Sequence, residues 1–170
     1  TNTTSAASTT AAITSVASDT AMLRGGEISG VLLPELASAS GKQAIVGIRV
    51  LGEGARTDAD ARRYLASYQS AIAAIARTAD PKRSPMQNDG ISIKLSALHP
   101  RYEDAQHERV MRELVPRVWT LCRAAAAANL NLTIDAEEVD RLELSLDVFG
   151  ALAELVAEHC PRWEGLGLAM

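Results

Sequence analysis

Three charged residues, Glu53, Lys94 and Asp135, stand at or near the C-terminal ends of three short apolar runs. A lysine and two carboxylates brought together would be costly to bury unless they meet one another or a ligand. The set therefore has two readings. It is either a site built from several strand ends, or a structural arrangement in which Glu53 begins a helix and Lys94 pairs with Asp135 across neighbouring strands.

Which reading applies depends on the elements that carry these residues. Residues 43–51 (QAIVGIRVL), 91–98 (ISIKLSAL), 130–136 (LNLTIDA) and 165–170 (GLGLAM) read as buried strands. Helical patterns lie between them. The first has Thr57 as N-cap, with Asp58 and Asp60 in its first turn, where the helix dipole favours acids. Its apolar positions Ala61, Tyr64, Leu65, Tyr68, Ile72 and Ile75 follow a helical period. Residues 78–90 read as a loop. The second helix passes through Val110, Met111, Leu114, Val118, Leu121, Cys122 and Ala125, and Pro116 is expected to kink or split it. The third runs from about Glu138 to His159 and has a possible restart at Asp147. Glu137, Glu138 and Asp140 read as its solvated, acidic start, and Arg101 and Tyr102 as loop caps, Tyr102 with the option of lining an entrance.

Strands recurring with intervening helices every 35–50 residues or so imply parallel strands with right-handed crossovers. That leaves an open doubly wound sheet or a (β/α)8 barrel. No GxGxxG fingerprint follows any strand, which counts against a dinucleotide fold. Side chains alternate across a strand. One parity is apolar: Ile91, Ile93 and Leu95, then Leu130, Leu132 and Ile134, then Leu166, Leu168 and Met170. The other is polar or small: Ser92, Lys94 and Ser96, then Asn131, Thr133 and Asp135, then Gly165, Gly167 and Ala169. The apolar parity should face helices. A barrel axis lined by the other parity would be roomier than the usual aliphatic filling, as a ligand-lined interior requires. In a barrel, the active site lies at the strands' C-terminal ends, where Glu53, Lys94 and Asp135 fall.

Apolar residues make up 47% of the 170, enough to form a core. The net charge of −4, with no basic stripe, argues against a nucleic-acid partner. No apolar run approaches the ~18–20 residues that cross a bilayer. Cys122 and Cys160 lack neighbouring ligands at metal spacing and read as reduced core thiols of a cytoplasmic protein, with no metal site. His107 and His159 read as surface or packing residues, whereas His99 lies in a loop beside the strand-two run. Residues 1–42 are a Thr/Ser/Ala-rich tract with no Lys or Arg before Arg24, unlike a secretory or mitochondrial leader. They are expected to be flexible, with a short helix around 29–38, and to precede a domain over 43–170.

Three segments carry a family resemblance: LGEGARTDADARRYLASYQSAIAAI (51–75), GISIKLSALHPRYEDAQHERV (90–110) and LTIDAEEVDRLELSLDVF (132–149). In order and spacing they resemble the proline dehydrogenase domain of the bacterial bifunctional proline utilisation A flavoproteins, over about residues 50–170. The resemblance implies a (β/α)8 barrel holding FAD noncovalently. It also implies oxidation of L-proline to Δ1-pyrroline-5-carboxylate, with hydride passing to the flavin and electrons onward to a membrane quinone. By the same resemblance, Lys94 helps bind the proline carboxylate, Asp135 lies beside flavin and substrate with Ala136 also at the cofactor, and Glu53 pairs with substrate-binding arginines. A lysine suits a carboxylate as a point charge. A carboxylate suits a substrate amine, whose lone pair must be free for hydride loss.

The sequence departs from the family pattern in strand one. The family reads like FSYDMLGEA there; this chain has GIRVLGEGA, with Arg49 in place of the usual Asp and Gly54 in place of the usual Ala. Met170 falls within strand four, so the chain is expected to be the first half of the barrel. An aromatic at the proline site, most FAD contacts and an arginine pair are supplied by later parts of the family barrel. This stretch alone is accordingly expected to be inactive, or to act as a half-barrel associating through exposed strand edges. A glutamate-semialdehyde dehydrogenase domain and a DNA-binding domain occur elsewhere in such proteins.

Overall fold

The computed structural model describes the backbone of residues 48–49 and then residues 54–169. The expectations for residues 1–42, and for Glu53 and Met170, lie outside the described residues. Four strands, β1 (Ile48–Arg49), β2 (Ile91–Ile93), β3 (Leu132–Ile134) and β4 (Leu166–Leu168), form one sheet. All adjacent pairs are parallel and the spatial order is β1-β2-β3-β4. Three long helices connect them: α1 (Asp58–Ala76), α3 (His107–Ala127) and α4 (Leu142–His159). A single helical turn, α2 (Leu95–Leu98), follows β2.

The caps and stripes explain the helices. Thr57 closes the N-terminus of α1 by a reciprocal bond with Asp60: the Thr57 hydroxyl accepts the Asp60 N–H, and the Asp60 carboxylate accepts the Thr57 N–H. Ala61, Tyr68, Ile72 and Ile75 form its buried stripe. Val110, Leu114, Val118, Leu121, Cys122 and Ala125 do the same on α3. The apolar parity of β2 and β3 is fully buried against these stripes in one core. Strand order without reversal, and helices joined in one core with one sheet face, are features of a barrel wall rather than of a sheet wound on both sides.

Several expectations are corrected. The run 91–98 is not one strand: pairing ends at Ile93, and the chain turns into α2 as the Ala97 N–H donates to the Lys94 carbonyl at 3.2 Å. Ser96 therefore leaves the sheet and is buried. Helix α3 is continuous through Pro116. That proline sits on the exposed side, where water can satisfy the carbonyl left without its helical donor. Helix α4 does not restart at Asp147; a 3-10 turn over Val139–Arg141 leads into it. Leu166 and Leu168 are only half-buried, packed against the margin of the core. Cys122 is buried, and burial pushes its thiol up to about 12, whereas Cys160 is half-buried rather than core.

Candidate active site

The ladder places Ile93, Ile134 and Leu168 side by side at the C-terminal edge of the sheet. Two further bonds continue the staircase: the Asp135 N–H donates to the Ile93 carbonyl, and the Ala169 N–H to the Ile134 carbonyl, both at 2.9 Å. Lys94, Asp135 and Ala169 are thus the next residues out, on the parity of Ser92, Thr133 and Gly167. Lys94 and Asp135 are both half-buried. No ion pair or side-chain hydrogen bond engages either of them among the described residues, so the plain ion-pair reading of Lys94 and Asp135 is not what the structure holds. Ala136 follows as an exposed residue. Glu53 lies outside the described residues, but its successors do not: Gly54 lies against Ser96, and the Ala55 N–H donates to the Ser96 carbonyl at 2.8 Å.

Behind this edge, the row Ser92, Thr133 and Gly167 crosses the sheet in register. None of these is bulkier than threonine, and a Cβ added at Gly167 would already sit 3.4 Å from the Thr133 hydroxyl. Across β2–β4 the face opposite the core is accordingly a half-buried shelf of small groups, and on β1 the position in register with Ser92 is Arg49.

Three neighbours escape a reading of the sequence. Tyr68, an apolar-stripe position of α1, places its hydroxyl to accept the Lys94 N–H at 3.1 Å. Burial, reinforced by the nearby carboxylates of Asp135 and Glu137 and partly offset by the Lys94 N–H, pushes that phenol up to about 12, so it stays neutral. The polar tip was the available signal, since a buried tyrosine hydroxyl needs a partner. Glu137 is not a solvated helix start. Its side chain is 7% exposed, and its carboxylate accepts the Ser96 N–H at 3.0 Å, with Arg141 3.8 Å away. It shares the parity of Asp135, two residues earlier, which was the signal for it. Tyr102 is neither a loop cap nor an entrance residue. It is buried, its hydroxyl 2.7 Å from that of Ser145, with the Arg141 guanidinium 5.8 Å from its ring centre.

His99 is also buried, in a structural setting. Its Nδ1 accepts the Arg101 N–H at 3.2 Å, so the ring proton lies on Nε2, which faces Glu113 at 3.3 Å. Burial holds its pKa below the ordinary histidine value. His107 is half-buried beside Asp147, and His159 is exposed beside Trp119. A groove of about 640 Å³ lined by Trp119, Arg123, His159 and Trp163 lies where α3 and α4 end, away from Lys94.

The strand-end lysine and aspartate beside an open polar shelf can receive a small ligand carrying both an anionic and a basic group. Comparison with known proteins gives this arrangement a family. A family model described as Proline dehydrogenase matches residues 32–170. The bifunctional protein PutA of Salmonella typhimurium is 48% identical over 121 residues, covering 71% of this chain and 9% of that protein. A crystal structure of Bradyrhizobium japonicum Proline Utilization A superposes with a TM-score of 0.70 at 50% identity, over 75% of this chain and 13% of that one. A further structure, of proline utilization A with proline bound in remote sites, gives 0.70 at 50% identity, over 78% of this chain and 13% of that one. The chain spans about a tenth of the length of these relatives.

Proposed function

The chain belongs to the proline dehydrogenase family, and from that premise we propose that its strand-end residues form part of a site oxidising L-proline to Δ1-pyrroline-5-carboxylate in proline catabolism. The four strands are read as the first half of a (β/α)8 barrel. Their consecutive order and the helices joined in one core support this. The activity is assigned to the complete barrel.

The observation that carries the reading is the pair Lys94 and Asp135: adjacent in register, half-buried and not spent on each other. Lys94 neutralises the proline carboxylate. Asp135 orients the substrate amine so that its lone pair is free as the neighbouring C–H is broken. Glu53 is assigned to pairing with substrate-binding arginines. The shelf of Ser92, Thr133 and Gly167 fits a flat ring system, with Asp135 and Ala136 as this chain's contacts to it. FAD, when bound, supplies the two-electron acceptor. A quinone at the membrane surface is the onward acceptor, in a cytoplasmic protein associating peripherally with the membrane.

The test is L-proline saturation kinetics of the enzyme carrying this sequence. Lys94→Ala is expected to raise KM about 30-fold or more, the effect of truncating one partner of a desolvated charge pair. An unchanged KM removes Lys94 from the site. The half-buried edge strand β4 favours a second reading, in which this stretch alone is a non-catalytic module that pairs edge to edge. A monomer by light scattering excludes it.

A further inference from the structure

The segments that follow β1, β2 and β3 meet at the backbone of one residue, Ser96. Its carbonyl accepts the Ala55 N–H at 2.8 Å and its N–H donates to Glu137 at 3.0 Å. Ser96 is two residues past Lys94, and Glu137 two residues past Asp135. Among the described residues, the one side-chain hydrogen bond that ties the end of β2 to the end of β3 is therefore that of the Glu137 carboxylate. Its other oxygen is 3.8 Å from Arg141, which stands 3.2 Å from Glu138 and stacks over buried Tyr102. The carboxylate is thus held from the α4 side while it grips the turn that carries Lys94.

We infer that Glu137 is a positioning residue for proline binding: it acts on substrate through Lys94, by a hydrogen bond that fixes the Lys94–Ser96 turn against the end of β3. The inference rests on the proposed role of Lys94. The lysine side chain has no partner of its own among the described residues, so only its backbone sets where the ammonium can reach. That backbone is tethered at Lys94 N–H by Tyr68 and at Ser96 N–H by Glu137. Releasing the second tether loosens the cation's placement without removing its charge. Its signature is weaker ground-state binding of an anionic substrate with little change in turnover.

Two variants separate this hydrogen bond from a general field effect, both in the complete enzyme. Glu137→Asp keeps the charge and withdraws the acceptor by one methylene; Glu137→Gln keeps an acceptor oxygen in place and removes the charge. The readouts are KM and kcat for L-proline, and hydrogen exchange at the Ser96 amide, which needs no cofactor. Glu137→Asp is expected to speed Ser96 exchange and raise KM about tenfold, with kcat within threefold. Glu137→Gln is expected to stay near the parent in both. Two outcomes overturn the inference: KM raised by Gln but not by Asp, or KM unmoved by Asp while Lys94→Ala raises it. If Lys94→Ala leaves KM unchanged, the reading of Lys94 falls, and this inference with it.

Discussion

The hydroxyl of Tyr68 on α1 accepts the backbone N–H of Lys94 on the far side of the β2 edge, at 3.1 Å. Tyr68 is fully buried, so no water stands ready to replace it. Tyr68→Phe keeps the ring and strands the donor. The expected cost is about 1–3 kcal/mol, the usual penalty for an unsatisfied buried donor. Urea unfolding measures it. A midpoint unchanged from the parent would show that the Lys94 N–H finds another acceptor.

Tyr102 and Ser145 should behave as a coupled pair. The Ser145 hydroxyl gives its proton to the Arg141 carbonyl at 2.9 Å, so the Tyr102 hydroxyl is the donor to Ser145. Burial pushes the Tyr102 phenol up to about 12, so it keeps that proton through the neutral range. Ser145→Ala leaves a buried hydroxyl unpaired and is expected to cost about 1–3 kcal/mol; Tyr102→Phe is expected to cost about 1 kcal/mol. The double variant should cost less than the sum, by 0.5 kcal/mol or roughly more. Strict additivity in the cycle would mean that the two hydroxyls do not support each other.

His99 sets a pH dependence. Its folded pKa lies below the unfolded value of 6.5 because burial opposes the charged ring. The unfolded chain therefore binds the proton more readily, and stability falls as pH drops below 6.5 towards the folded pKa. Glu113, held low chiefly by Arg109, adds a loss only below its ordinary 4.5. Melting temperature followed from pH 8 to about 5 should decline in the parent. His99→Gln, which does not titrate, should flatten that decline; an equal slope in both would assign the effect to other groups.

Two glycines should respond in opposite ways. A Cβ at Gly165 would lie 2.3 Å from the Trp163 indole nitrogen and 2.6 Å from the Leu130 carbonyl, the two atoms of a 2.8 Å hydrogen bond. Gly165→Ala must part them or shift β4, at a cost of about 1–3 kcal/mol. A Cβ at Gly54 meets Ser96 at 3.8 Å, an ordinary contact. Gly54→Ala is expected to be neutral or to stabilise by about 0.4–1 kcal/mol through the unfolded chain. Thermal melts of the two variants decide both points.

What the sequence determined by itself is whatever repeats locally. The stripe on α1, the Thr57 cap, and the alternation of Ile91–Ile93 and Leu132–Ile134 follow from the geometry of a single helix or strand, and each could be read within one segment. The neighbourhood of Lys94 and Asp135 could be read too, because parallel strands of like phase carry their ends to one edge. The tertiary structure alone decided how these ends are held. Tyr68 and Lys94 are 26 residues apart, Ser96 and Glu137 are 41 apart, and Tyr102 and Ser145 are 43 apart. Nothing in the spacing of a tyrosine on a buried stripe, or of a glutamate at a helix start, says which distant N–H or hydroxyl it will meet. Buried polar groups must be paired, but the partner is chosen by register and helix packing. The same packing ended β2 at Ile93, where pattern alone would have carried the strand to Leu98. There, a bond from Ser96 to Glu137 replaced a rung of the ladder.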